Sequence, residues 1–225
     1  MKQWDCMLPG EPCVVSFSGG KDSVFALHSA TLSGRVLGVI AMLEETGTRS
    51  GAHGLSGRFL KRQAEAMGLE IWFGKSNWKE YEQEFTRLLK EFRQKGAQAL
   101  VTGDMDLPEE NCWHERVAES AGLEFRAPLW RMDHTREAFA FVEAGFTSVV
   151  VSIRESAGLR KEDLGRVFDG AFIQDMIARG IDPSGEGGEF HTAVVDGPLF
   201  HRRVKYKEKE RFTMGQYLLM EIEAV

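Results

Sequence analysis

Short apolar runs and amphipathic stretches alternate along the first 130 positions of the chain. Cys13-Val14-Val15-Ser16-Phe17 closes on Ser18-Gly19-Gly20, the pattern of a buried strand running into a turn. From Asp22 to Ser33, Val24, Phe25, Leu27 and Ala30 share one side, and Gly34 marks a helix stop. Val36–Leu43 is almost wholly apolar and predicts a strand buried on both faces. Glu44–Gly54, rich in Gly, Ser and Thr, predicts a loop. A helix over Leu55–Met67 and a short strand Ile71-Trp72-Phe73 follow. Asn77 is a candidate cap for a long helix on which Trp78, Tyr81, Phe85, Leu88, Leu89 and Phe92 recur at helical spacing. Trp78, Tyr81 and Phe85 therefore read as core. Strand Ala99–Thr102, a helix near Trp113–Ala121 and a strand near Phe125–Leu129 complete the series.

This repetition predicts an α/β fold with a doubly wound, parallel, five-stranded sheet and right-handed crossovers. Ligands of such sheets bind beyond the carboxyl ends of the strands. The loops Ser18–Ser23, Glu44–Gly54 and Gly103–Leu107 are thus expected on one rim. The remainder is patterned differently. It has a helix near Thr135–Ala144, strand Ser148–Ile153, a helix near Ala171–Arg179 and the Gly-rich stretch Gly180–Gly188. Strand patterns follow at Phe190–Val195, Arg203–Lys209 and Tyr217–Ile222. Two domains are expected, over residues 1–130 and 131–225, the second a smaller α+β unit.

Composition narrows the class. With 225 residues, 43% hydrophobic and 28% charged, the chain has the make-up of a globular protein, which excludes disorder, collagen and coiled coil as the main architecture. The longest apolar run, Val36–Leu43, is far short of the ~20 residues of a membrane helix. Met1–Asp5 has no apolar stretch of the signal-peptide kind. Cys6, Cys13 and Cys112 are scattered and form no C-x-x-C pair, which argues against a disulfide framework and a structural zinc site. A reducing, cytoplasmic location is expected. The net charge of −6 and pI near 5.6 count against a nucleic-acid partner.

The strongest chemical signal is Ser18-Gly19-Gly20-Lys21-Asp22-Ser23, between a strand and a helix. Two glycines allow close backbone approach to an anion, and a helix N-terminus supplies N–H groups and a positive dipole end. Ser18 and Ser23 add hydroxyls and Lys21 a charge. The Walker pattern fails, because Val15 stands where its first Gly belongs and Asp22 where it needs Ser or Thr. A second signal is Gly185-Glu186-Gly187-Gly188-Glu189-Phe190-His191-Thr192, followed by Asp196-Gly197-Pro198. Alternation from Glu189 places Glu189 and His191 on one strand face, where they can hold ammonium, relay a proton or bind a metal. A Gly-rich turn into a polar edge strand reads equally well.

Ser18–Ser23 resembles the pyrophosphate loop, S-G-G-x-D-S, of ATP pyrophosphatases in the adenine nucleotide α-hydrolase-like (HUP) superfamily. The two motifs together resemble the diphthine–ammonia ligase family. Val101-Thr102-Gly103-Asp104, Pro128-Leu129-Trp130, Leu164-Gly165 and Gly180-Ile181-Asp182-Pro183 extend the likeness over nearly the whole chain. The resemblance implies an ATP-binding domain and a substrate domain, and an AMP-forming ligase that adenylates a carboxylate and amidates it with ammonium. It implies that Ser18, Gly19, Gly20, Lys21, Asp22 and Ser23 grip the phosphates of ATP. It further implies that backbone at Ala41 and Met42 meets adenine. Gly103-Asp104, following a strand on the same rim, reads as a contact to the nucleotide or its Mg²⁺, or as a plain turn or helix cap. Mg²⁺ would sit with Asp22 and Asp104, and Lys21 would neutralise charge on the departing pyrophosphate. Glu186, Glu189, His191 and Thr192 would position ammonia and the acceptor.

The family's named acceptor is protein-bound diphthine. Its diphthamide enzymes usually read Glu-Thr after the aromatic residue, where this chain reads His191-Thr192. The G-E-x-G-E-F-H-T version looks more like a bacterial branch, for which a small-molecule carboxylate such as a cobalamin precursor is the alternative acceptor. A tRNA-modifying relative using Cys112, and a non-catalytic ATP-binding module, are further readings. A homodimer is compatible with the resemblance. His53, on the second rim loop, reads either as a contact to phosphate or substrate or, as is commoner for a lone loop His, as a solvated residue. The alternating Lys205, Lys207, Lys209 and Arg211 read as a face for an acidic partner or, more readily, as protection of an edge strand.

Overall fold

The computed structural model describes residues 2–51 and 53–225. In chain order the elements are β1 (Pro12–Ser16), α1 (Lys21–Ser33), β2 (Arg35–Leu43), α2 (Gly57–Ala66), β3 (Ile71–Lys75), α3 (Tyr81–Gln94), β4 (Ala99–Val101), α4 (Trp113–Ser120) and β5 (Glu124–Arg126). Then come α5 (His134–Glu143), β6 (Thr147–Ile153), α6 (Gly170–Ala178), β7 (Phe190–Asp196), β8 (Tyr206–Met214) and β9 (Tyr217–Ala224). Contacts group the chain into two units. One holds the residues up to Ser18, Asp22–Arg49 and Leu69–Arg131; the other holds Gly19–Lys21, Ser50–Gly68 and Met132–Val225. The division is not one cut near residue 130: three residues of the glycine loop and helix α2 count with the C-terminal part.

The first unit carries a five-stranded, all-parallel sheet of order β3-β2-β1-β4-β5. Its central strands are buried on both faces, as their unbroken apolar runs require: Val14, Val15, Leu100 and Val101 are inaccessible. Phe85, Leu89 and Phe92 from α3 pack with Trp4, Val14, Ile40, Leu100 and Phe125. The order reverses at β1, because the chain runs outward to β2 and β3 and then returns to β4. The loops after β1 and β4 therefore flank the position where such sheets bind ligands.

Trp78 is not core: it is 91% exposed. Asn77 Oδ1 accepts the amides of Lys79 and Glu80, so it closes a local turn, and α3 begins only at Tyr81. The apolar spacing runs on past the true start of the helix. Strand β5 is likewise shorter than its apolar run, because Ala127 N–H turns to Trp4 O and Trp130 N–H to Ala127 O.

The second unit is built on an antiparallel sheet of order β7-β6-β9-β8. Phe141, Phe168, Phe172 and Phe190 form its aromatic core, with neighbouring rings 5.2–6.0 Å apart. Helix α2 packs against β9. Ser56 caps that helix through Phe59 N–H, so it starts two residues later than its apolar pattern. Strand β8 begins at Tyr206 rather than Arg203, which leaves Lys205 outside it, and a bulge between Glu208 and Arg211 breaks the basic alternation. Lys209 pairs with Glu223 at 2.9 Å on this charged edge strand.

Candidate functional site

In the first unit, Ser18 and Ser23 bring their hydroxyls to 3.1 Å, and Ser18 N–H donates to Ser23 Oγ at 3.3 Å. The pair ties the exit of β1 to the first turn of α1. The loop after β4 lies against the same turn. A Cβ on Gly103 would stand 2.5 Å from Asp22 O and 2.9 Å from Ser23 N, so only glycine allows this approach. Asp104 follows, with its carboxylate 3.6 Å from His114 Nε2. The β1–β2 ladder ends at Ile40, whose carbonyl takes Phe17 N–H, so Ala41 and Met42 run on beyond it at the carboxyl end of β2. Two buried hydroxyls, Ser76 Oγ just after β3 and Thr102 Oγ1 just after β4, have no hydrogen-bond partner among the described residues. Polar atoms left unmet at the carboxyl ends of parallel strands suit a polar ligand such as a nucleotide.

In the second unit, Gly19–Lys21 run beside β7. Gly19 adopts φ +78°, a left-handed conformation. Its carbonyl accepts Val194 N–H at 3.0 Å and Gln63 Nε2 at 2.9 Å. Gln63 Nε2 also donates to Val194 O at 2.6 Å. Lys21 N–H donates to Thr192 Oγ1 at 3.0 Å. Lys21 is 2% exposed; its Nζ lies 2.9 Å from Glu137 Oε2 and 5.8 Å from the centre of the Phe168 ring. Its ammonium thus meets a buried carboxylate of α5. Thr192, expected to position ammonia, accepts the Lys21 amide of the glycine loop on its hydroxyl oxygen.

His53 is not simply solvated. Its ring fills the space a Cβ on Gly20 would need, and it lies 4.6 Å from the His191 ring. His53 Nδ1 stands 3.2 Å from Thr192 O; a carbonyl only accepts, so Nδ1 carries the hydrogen. On its other side His191 meets the Tyr217 ring at 5.3 Å. Burial holds His191 well below the usual imidazole range, and the nearby His53, Arg154 and Lys21 add to the effect. His191 Nε2 and Glu189 Oε2 are buried and have no hydrogen-bond partner among the described residues. Glu189 is steered by Arg154, whose Nη2 lies 3.9 Å from its Oε1 and whose amide donates to Glu189 O at 2.8 Å. Asp182 organises the Gly-rich approach: it takes Ser184 N–H and Oγ–H on Oδ1 and faces His134 Nδ1 at 2.7 Å. Ser184 Oγ in turn accepts Glu186 N–H at 3.2 Å.

The second unit therefore joins Gly19, Gly20, Lys21, His191 and Thr192 through hydrogen bonds and ring contacts, and Glu189, held by Arg154, lies two positions before His191. Gln63, Glu137 and His53 belong with them. Gln63 and Glu137 leave one trace in sequence, a polar residue on an otherwise apolar helix stripe. Cys112 stands just before α4, makes no side-chain cap, and is buried in the apolar core, which removes it as an accessible sulfur carrier. Burial pushes the Cys13 thiol up to about 12, so it too is inert. Among the described residues no group of three or more His, Cys, Asp or Glu side chains could hold a metal ion, and no helix is long and apolar enough to cross a membrane.

The chain is similar to known proteins along its length. It is 26% identical over 238 residues to a diphthine–ammonia ligase of Schizosaccharomyces pombe; the match takes in 92% of this chain and 38% of that protein. The chain thus spans well under half of that relative. A solved structure titled as a predicted subunit of tRNA methyltransferase from Methanocaldococcus jannaschii matches 86% of this chain and 100% of its own, at 14% identity and a TM-score of 0.44. The family model for the diphthamide synthase N-terminal domain matches residues 12–125, and that for the diphthamide synthase C-terminal domain matches residues 133–225. With both of its domains matched in order, the chain belongs to the diphthamide synthase family.

Proposed function

We propose that the chain is an ATP-dependent, AMP-forming ligase that activates a carboxylate as an adenylate and amidates it with ammonium. One observation carries the reading: the backbone of the glycine loop is hydrogen-bonded to the strand that bears His191 and Thr192, directly after Glu189. In this reading the loop that takes phosphate is held in register with the strand whose side chains take the nitrogen nucleophile.

In this reading Ser18–Ser23 hold the β- and γ-phosphates of ATP, and Ala41, Met42 and Gly103 border the nucleoside and α-phosphate. Asp22 and Asp104 would hold Mg²⁺, a hard cation that takes few protein oxygens and completes its shell with phosphate and water. The metal would offset charge on the leaving pyrophosphate. Lys21 contributes less directly than its charge implies, because Glu137 already neutralises it. The acceptor carboxylate attacks the α-phosphorus and pyrophosphate departs. Ammonia then attacks the acyl carbon and AMP departs. His191, neutral because it is buried, accepts a hydrogen bond at Nε2, and Glu189 accepts another at Oε2. Both atoms can thus hold the nitrogen nucleophile by its N–H groups.

Acceptor-dependent turnover of the purified protein, with nucleotides separated by chromatography, tests the reading. AMP and pyrophosphate are expected; ADP and phosphate would refute it. Supplying diphthine-bearing protein in one arm and small corrinoid carboxylates in another identifies the acceptor.

A further inference from the structure

We propose that Gln63 is a positioning residue that sets the backbone of the phosphate-type loop without touching the nucleotide. The inference rests on the ligase reading above. Gln63 projects from α2 and is completely buried beside Phe59, Leu60 and Ala64. Its Nε2 spans two carbonyls, Gly19 O at 2.9 Å and Val194 O at 2.6 Å. Both carbonyls can only accept, so both amide hydrogens are used. Val194 N–H donates to the same Gly19 oxygen at 3.0 Å. That oxygen is held from two directions, and with it the left-handed turn at Gly19.

The other end of the carboxamide shows what the residue is for. Gln63 Oε1 is buried and has no hydrogen-bond partner among the described residues. A methionine would fill nearly the same volume and bring no unmet oxygen of its own. The unmet carbonyl is a standing cost that only the NH₂ group offsets. Gly19 is matched to the arrangement, because a Cβ there would collide with Gln63 Oε1 and Leu60. Two residues on, Thr192 Oγ1 holds Lys21 N–H. Gln63 and Thr192 thus pin the segment at both ends, and Gly20 lies between them.

The test is Gln63→Met, read by calorimetry with ATP and with AMP as separate titrants. AMP lacks the β- and γ-phosphates assigned to the loop. A folded Gln63→Met protein is expected to bind ATP at least tenfold more weakly and AMP within twofold of wild type. Unchanged ATP affinity overturns the inference, and so does equal loss for both nucleotides, which would mark general damage. If Gln63→Met does not fold, Gln63→Glu decides. It keeps the length and shape of the side chain but replaces the NH₂ group that donates to Gly19 O and Val194 O, so a folded Gln63→Glu protein should lose ATP affinity and keep AMP affinity; unchanged ATP affinity overturns the inference. Wild-type protein that binds no ATP overturns the ligase reading itself. Wild-type binding with an unchanged variant overturns only the role of Gln63.

Discussion

Lys21 N–H donates to Thr192 Oγ1 at 3.0 Å, although 171 positions separate the two residues. Each lies in one of the two motifs that stand out in the sequence. The bond makes the glycine loop depend on a strand near the far end of the chain.

The ion pair formed by Lys21 with Glu137 is the first consequence to test. Both side chains are buried, so removing one partner leaves a charge without compensation, at a cost of about 3–5 kcal/mol. Lys21→Met and Glu137→Leu should each lower urea stability by about that much. The double variant should recover most of it, because two apolar groups can replace a buried pair at little net cost. Additive losses in the double variant would show that the pair is not coupled.

Gly103 sits on the backbone of Asp22 and Ser23. Gly103→Ala forces β4's loop away from the start of α1. Overpacking of this kind costs about 1–3 kcal/mol. Because the displaced turn carries Ser23, ATP affinity should fall at least tenfold while the far-ultraviolet circular dichroism is unchanged. Normal affinity would separate Gly103 from the nucleotide site.

His191 gives a pH dependence with a definite sign. It is surrounded by His53, Tyr217, Lys21 and Arg154, and its folded-state pKa is depressed, first by burial. The unfolded chain, with an imidazole pKa of about 6.5, binds the proton more readily. His191 therefore contributes stability in full above about pH 6.5, and this is lost as pH falls through the folded-state value. His28 is also lowered by burial and adds to the same slope. His191→Gln should flatten the acid limb of a stability–pH curve and leave the His28 part. An unchanged limb would mean that His191 is not held neutral.

Trp78 and Phe85 make a matched pair in α3 and the turn before it. Trp78 is almost fully exposed and Phe85 is buried. Trp78→Ser should change stability by less than about 0.5 kcal/mol. Phe85→Ala should cost about 3–5 kcal/mol. Chemical denaturation of the two variants checks both values.

The parallel sheet was legible because strands buried on both faces write themselves as unbroken apolar runs, as in Val36–Leu43 and Ala99–Val101. The glycine loop was legible because its chemistry is local: two glycines, two serines and a helix start within six positions. Trp78 misled because periodicity carries no marker of where a helix begins, and only the Asn77 side chain decides that. Gln63 and Glu137 were hidden for another reason. Each is one polar residue on an apolar stripe, and its meaning lies in partners, Gly19 and Lys21, that no local pattern brings near. His53 likewise gains its surroundings from Gly20 and His191.

The grouping of Gly19–Lys21 with β7 limits how this chain can be recombined. The two family models meet between residues 125 and 133, which invites a cassette exchange between relatives at that seam. Such a chimera would keep its own Gly19, Lys21 and Gln63 but inherit a foreign counterpart for Thr192, Val194 and Glu137. Positions 19, 21, 63, 137, 192 and 194 form one heritable set, and a functional graft has to move or match them together.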